Sequence, residues 1–153
     1  MGTRAVILGS GIAGLLAARV LSDFFSEIVL VERDEEPTTV APRKGVPQGH
    51  HIHVLLNRGE EILEELFPGF RNLLKQKGAV TATLGKDVHW YLSGRWMPFF
   101  ENGMVSFFQS RPLLEKILRG YVTEIPNVNF RYDTTFEGPE LDATGKAVRA
   151  VRI

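Results

Sequence analysis

Apolar residues open the chain as a run: Ala5-Val6-Ile7-Leu8 follows Arg4, and Gly9 ends it. A short continuous apolar run closed by a turn residue predicts a buried parallel strand over residues 4–8. From 11 to about 25 the apolar positions recur at helical spacing. Ile12, Leu15, Leu16 and Val20 fall on one face and the small Ala13 and Ala17 on another, which predicts a helix. The run Ile28-Val29-Leu30-Val31-Glu32 predicts a second buried strand and closes a βαβ unit of about 30 residues.

The pattern then breaks. Residues 33–49 hold three prolines and two glycines among polar side chains, which predicts a long irregular loop. Loops of that length in compact domains are functional or disordered. A helix is expected from about 50 to 66, with Leu55, Ile62, Leu63 and Leu66 as its buried stripe. Pro68-Gly69 stops it, and a short helix at about 70–77 follows. Residues 79–108 read as β structure, with Ser93-Gly94 between two aromatic-rich runs as a hairpin signal. Ser110 caps a further helix that carries Pro112 in its first turn, where a missing N–H costs nothing. Its core stripe is Leu113, Leu114, Ile117, Leu118 and Tyr121. A strand is expected at 127–132, and two more around a turn at Ala143-Thr144-Gly145. The class is α/β: a Rossmann-like βαβ unit with a parallel sheet, plus an inserted antiparallel β segment at about 79–108.

Composition narrows the function classes. At 153 residues there is room for one domain with a real core. Eighteen basic and eighteen acidic side chains cancel, so no global field draws the chain to nucleic acid or to an anionic membrane. There is no cysteine, which removes disulfides, thiol nucleophiles and thiolate metal sites. The apolar stretches fall far short of the roughly 20 residues of a membrane helix. The first residues lack the long apolar core of a signal peptide. A cytoplasmic protein without a transmembrane segment is the expectation.

The chemistry concentrates in Gly9-Ser10-Gly11-Ile12-Ala13-Gly14, a GxGxxG turn set between strand and helix. By itself such a turn is a weak signal. With a strand before it, a helix after it and Glu32 at the end of the next strand, it predicts a dinucleotide site. Gly9 allows the tight turn, Gly11 lets backbone approach a pyrophosphate, and Gly14 lets helix and strand pack closely. The helix N-terminus offers N–H groups and a positive dipole end to the phosphates. Glu32, eighteen residues past Gly14, can accept hydrogen bonds from the adenosine ribose hydroxyls, and its charge would repel a 2′-phosphate. Arg111 stands at a helix start where the dipole disfavours a cation; an anion nearby, with a bidentate phosphate contact as the candidate, would explain it, and a solvated arginine is the other reading.

Other clusters carry less. His50 and His53, three apart, could face one way on a helix, but no third ligand stands at a recognisable spacing, so no metal site is expected. Glu61 and Glu65 read as a solvated helix face. Trp90, Tyr91, Trp96, Phe99, Phe100, Phe107 and Phe108 alternate with polar residues as strands do. They read first as core, with an apolar substrate lining as the other reading.

The glycine motif does not separate NAD from FAD. The proline-rich loop bearing Arg43 and Lys44, in place of a prompt third βα repeat, does favour FAD, because it leaves room for a long cofactor. Here the chain resembles the FAD-dependent monooxygenases of the p-hydroxybenzoate hydroxylase-like type, including their squalene-epoxidase-like relatives. Three stretches carry the resemblance: "VILGSGIAGLLAARVL…IVLVERD", "RKGVPQGHHIHVLL" and "SRPLLEKILR". It implies that residues Gly9 to Gly14 bind the pyrophosphate, that Glu32 and Arg33 hold the adenosine side, and that Arg43 and Arg111 meet the ribityl-phosphate region. It also implies FAD reduced by NAD(P)H, then oxygenation of an apolar or aromatic small molecule by O₂. The histidines of "GHHIH" read first as ordinary helix-start residues, and by the same analogy they could instead lie near the flavin. The family's later Asp-Gly and Gly-Asp flavin motifs do not occur in these 153 residues. The chain therefore reads as the N-terminal part of an FAD/NAD(P)-binding domain, to be completed by a C-terminal portion or a complementing chain. Whether it is itself an enzyme stays open. A non-catalytic dinucleotide-binding module or partner subunit is the competing reading, and flavin-dependent halogenases and prenyl reductases open similarly.

Overall fold

The computed structural model describes residues 2–43, 45–101 and 103–153. In chain order the strands are β1 (Gly2–Leu8), β2 (Phe25–Val31), β3 (Ile52–Leu55), β4 (Val80–Thr83) and β5 (Tyr91–Leu92). They continue with β6 (Arg95–Trp96), β7 (Val105–Ser110), β8 (Val128–Arg131), β9 (Gly138–Leu141) and β10 (Val148–Arg152). The helices are α1 (Ile12–Leu21), α2 (Asn57–Leu66), α3 (Phe70–Gln76) and α4 (Arg111–Thr123). The chain divides into two compact units. One comprises the chain up to Pro47 together with Leu118–Ile153, and the other comprises Gln48–Ile117.

The first unit is built on a parallel sheet in the order β1-β2-β8. Central β2 is the apolar run of the sequence, and its Ile28 and Leu30 are fully buried, as a strand covered on both faces requires. Helix α1 connects β1 to β2 and buries Leu15 and Ala18. Asn127 ties the start of β8 to the start of β2. Its amide donates to the carbonyls of Ser22 and Phe25, and its own carbonyl accepts from the Ile28 N–H at 2.7 Å. The register sets Leu8 beside Val31 and Val31 beside Arg131, so the three strands end level. That shared carboxyl edge is where open α/β sheets place ligands. The β9–β10 hairpin completes the unit. The Asp142 carboxylate folds its turn by accepting from the N–H groups of Thr144 and Lys146 and from the Thr144 hydroxyl.

Helix α1 differs from expectation. It ends at Leu21 rather than near 25, because the Ser22 hydroxyl takes the Arg19 carbonyl and Phe25 already belongs to β2. Val20 and Ala13 face solvent, and Ala18 takes the buried place assigned to Val20.

The second unit centres on the antiparallel sheet β3-β7-β4, with Leu63 of α2, Phe67 just past its end, and Phe70 and Leu74 of α3 buried in the core. Glu64 caps the start of α3, accepting from the N–H groups of Gly69 and Arg71. The expected helix over 50–66 is wrong in its first half. Residues 47–50 form a 3₁₀ turn, residues 52–55 form β3, and α2 begins only at Asn57. The alternation His51-Ile52-His53-Val54 suits a strand, and pairing with β7 decides for it. The buried stripe of α2 shifts accordingly: Leu63 is buried, Ile62 is exposed, and Glu60 is buried against Arg71. In α4 the stripe is Leu114, Ile117, Leu118 and Val122, while Leu113 and Tyr121 are half-buried. Ser110 caps this helix as expected, its hydroxyl accepting from the Leu113 N–H at 3.3 Å.

Strands β5 and β6 pair around Ser93 and Gly94, which both take positive φ (52° and 80°). Two successive left-handed residues are the signature of the tight hairpin turn the sequence signals. The aromatic residues there are not core. Trp90, Tyr91, Trp96, Phe99 and Phe100 are exposed, Phe107 is buried and Phe108 is half-buried. A ribbon of two two-residue strands has too little surface to cover its own rings. They touch one another instead, Tyr91 against Trp96 and His89 against Phe99, edge to face. Among the described residues no helix is long and apolar enough to cross a membrane.

Candidate functional site

The glycine turn sits at the carboxyl edge of the parallel sheet, and its three glycines differ in what the chain demands of them. Gly9 has φ +90°, a conformation side chains rarely adopt, and its N–H donates to the Val31 carbonyl at 2.7 Å. A Cβ on Gly14 would lie 1.9 Å from the Gly9 carbonyl oxygen, so only glycine lets α1 start this close to the turn. Gly11 meets neither demand. Its φ is an ordinary −72°, and a Cβ there would meet nothing within 4 Å. Among the described residues neither a left-handed backbone nor close packing accounts for glycine at 11. Gly11 is also the N-cap of α1, which has no side-chain cap, so the N–H groups of Ile12, Ala13 and Gly14 find no partner within the helix.

Ser10 is fully buried and joins the turn to Glu32, just past the end of β2. The Ser10 N–H and hydroxyl both donate to Glu32 Oε2, at 2.9 and 2.7 Å, and the Asp34 N–H donates to Oε1 at 3.1 Å. Arg43 Nη1 lies 3.3 Å from the Glu32 carboxylate and 3.2 Å from that of Asp34. Burial alone would push the Glu32 carboxyl up. The donors from Ser10 and Asp34 and the Arg43 charge outweigh it and hold the group at about 2, well below its usual 4.5. Glu32 is thus a fixed anion at neutral pH.

On the other side of Ser10 stands Arg119 of α4. Its Nη1 donates to Ser10 Oγ (2.9 Å) and to the Tyr132 hydroxyl (3.0 Å), and its Nη2 donates to the Ser10 carbonyl (2.9 Å). The guanidinium also lies 5.7 Å from the ring centres of Phe130 and Tyr132, which stack on each other. Burial pushes the Tyr132 phenol up, against the lowering effect of Arg119.

The structure brings together Gly9 to Gly14, Glu32 and Arg43. Arg33 is exposed, with Nη2 3.4 Å from where a Cβ of Gly45 would stand. Lys44 lies outside the described residues. Arg111 belongs to the second unit, where Nε donates to Glu115 Oε1 at 2.8 Å. The anion that its place at a helix start calls for is therefore present within its own helix. Both arginines expected at phosphate are paired with carboxylates, which offsets part of the cost of taking a guanidinium out of water. His50 and His53 fall in a turn and a strand, so the helical spacing that set them on one face does not exist, and His53 Nδ1 lies 2.9 Å from the His51 carbonyl. Glu65 is exposed and Glu61 part-exposed, both paired with Arg58. Among the described residues no three His, Cys, Asp or Glu groups converge as a metal site would need. Sequence reasoning missed Arg119, Tyr132 and Asp34. The one signal for Arg119 is a basic residue between Leu118 and Val122, on the buried side of α4.

No family model matches the chain. It is 38% identical over 131 residues to Protein Rv3254 of Mycobacterium tuberculosis, an alignment covering 81% of this chain and 27% of that protein. Among solved structures it is similar to PqsL, a probable FAD-dependent monooxygenase from Pseudomonas aeruginosa. There the TM-score is 0.72 at 17% identity, covering 98% of this chain and 37% of that one. It is similar also to 2-methyl-3-hydroxypyridine-5-carboxylic acid oxygenase (TM-score 0.65, 20% identity, 95% and 36% covered). A third is p-nitrophenol 4-monooxygenase PnpA from Pseudomonas putida (0.63, 16%, 93% and 34%). The chain spans about a quarter of the length of the curated relative and little more than a third of these solved chains. A parallel β1-β2-β8 sheet with a βαβ start, together with antiparallel sheets, is the α/β fold of the matching part of a probable FAD-dependent monooxygenase and of two further oxygenases.

Proposed function

We propose that this chain forms the FAD-binding part of a flavin-dependent oxidoreductase of the monooxygenase kind. The observation that carries the reading is Gly11, a glycine with ordinary backbone and empty space around its missing side chain, at the N-terminus of α1. A pyrophosphate lying against that backbone accounts for it, and the N–H groups of residues 11–14 are its donors. Glu32, held ionised by Ser10, Asp34 and Arg43, takes the ribose hydroxyls of the adenosine with Arg33 beside it. Its fixed charge disfavours a 2′-phosphate and so disfavours NADP at this turn. For Arg43 and Arg111 to meet the ribityl-phosphate region, each guanidinium has to exchange its present carboxylate partner for phosphate.

Bound FAD supplies the redox and oxygen chemistry, with NAD(P)H as the reductant and an apolar or aromatic small molecule as the substrate. What these residues contribute is binding, orientation and a fixed charge pattern. Catalysis is proposed for a protein that carries the remainder such oxygenase chains have. The test is a titration of the protein with FAD, NAD and NADP. The reading expects FAD to bind tightest and NADP weakest. A preference for NADP, or no binding of FAD, overturns it.

A further inference from the structure

Arg119 has no part in the cofactor contacts proposed above, yet it is among the most firmly placed charges in the first unit. Its residue is 7% exposed, and among the described residues no carboxylate pairs with it. A guanidinium taken out of water without an anion is costly, so the neutral acceptors it holds must be worth holding. Two of the three are on Ser10, and with the Glu32 contacts they leave Ser10 no freedom. Its N–H and O–H go to Glu32, and its Oγ and carbonyl accept from Arg119. The hydroxyl therefore relays from Arg119 to Glu32, accepting from one and donating to the other.

The carbonyl contact sets the next peptide. In a planar trans peptide the C=O and the following N–H point in opposite directions. Nη2 on the Ser10 carbonyl therefore turns the Gly11 N–H away from Arg119. A Cβ on Gly11 would meet nothing within 4 Å. One buried fork thus fixes both the peptide expected at the pyrophosphate and, through the Ser10 hydroxyl, the carboxylate expected at the ribose.

We propose that Arg119 is a positioning residue for the diphosphate and ribose of an adenine dinucleotide, acting through Ser10. This rests on reading the glycine turn as the dinucleotide site. A lysine in its place keeps charge and bulk but, with one nitrogen, cannot hold Oγ and the carbonyl in a fixed fork.

The experiment is calorimetric titration with FAD of the wild type, Arg119→Lys, Arg119→Met, Ser10→Ala and the Arg119→Met/Ser10→Ala double variant, with thermal unfolding recorded on each. Arg119→Lys and Arg119→Met are expected to weaken FAD binding by roughly tenfold or more. Arg119→Lys should unfold near the wild-type temperature, which separates positioning from loss of fold. Because both residues act in one relay, the double variant should bind no more weakly than the product of the single effects, and measurably less weakly than that. Wild-type affinity in Arg119→Lys, or multiplicative losses in the double variant, would overturn the proposal. If Arg119→Lys binds like wild type while Gly11→Val does not bind, Arg119 alone is misassigned. If wild type and Gly11→Val bind FAD equally, the site reading itself has failed, and the proposal with it.

Discussion

Replacing Glu32 by glutamine removes a buried anion and keeps its shape. In the wild type the carboxylate accepts from the Ser10 N–H, the Ser10 hydroxyl, the Asp34 N–H and Arg43. These partners prefer its ionised form, and they hold it at about 2 against 4.5 when unperturbed. At about 1.36 kcal/mol per pKa unit, that preference corresponds to about 3 kcal/mol of native-state stability. The folded value is depressed, so the contribution is complete above about pH 4.5 and is lost as pH falls towards 2. Urea unfolding of wild type and Glu32→Gln without nucleotide, at several pH values between 7 and 3 and constant ionic strength, reads this directly. Every other carboxylate is common to both proteins, so the difference between them isolates Glu32. It should be on the order of 3 kcal/mol at pH 7, flat to about pH 5, and shrinking at lower pH. A difference that stays constant to pH 3, or grows on acidification, would refute the argument that Ser10 and Arg43 hold Glu32 as an anion.

Gly14→Ala places a methyl 1.9 Å from the Gly9 carbonyl oxygen, so α1 must move off the turn. It should cost about 1–3 kcal/mol by thermal or urea unfolding and weaken FAD binding as well, whereas unchanged stability would contradict the close approach. Arg111→Ala takes the Nε donor from the largely buried Glu115, and it should lower stability by about 1–3 kcal/mol in urea. If Arg111 also serves a cofactor phosphate, the same variant loses more FAD affinity at low salt than at high salt, and a salt-independent loss would assign it to the fold alone.

The βαβ start was legible because its signals are local: two apolar runs, a glycine turn and a terminal glutamate, each sufficient for its element. The β5–β6 turn was legible for the same reason, since Ser-Gly between two aromatic runs marks a turn, and both residues take positive φ there. Residues 51–56 were not, because "HIHVLL" satisfies a helical stripe and a strand alternation equally, and only pairing with β7, more than fifty residues away, chooses between them. The exposure of Trp90, Tyr91 and Trp96 follows from the smallness of their ribbon, which composition does not reveal. At the site, the glycines and Glu32 announce themselves within one motif. Arg119 reaches Ser10 across 109 residues of sequence, and a single arginine amid leucines reads as a solvated interruption until the fold turns it inward.

The central claim is that a dinucleotide diphosphate lies where a side chain at Gly11 would stand. Calorimetric titration of FAD into wild type and into Gly11→Val tests it most directly. The valine Cβ has free space and the backbone angle is ordinary, so the variant should unfold within about 1 kcal/mol of wild type, the scale of an N-cap substitution. The expected result is saturable FAD binding by the wild type and none by Gly11→Val at equal stability. FAD binding by Gly11→Val with wild-type affinity would contradict it.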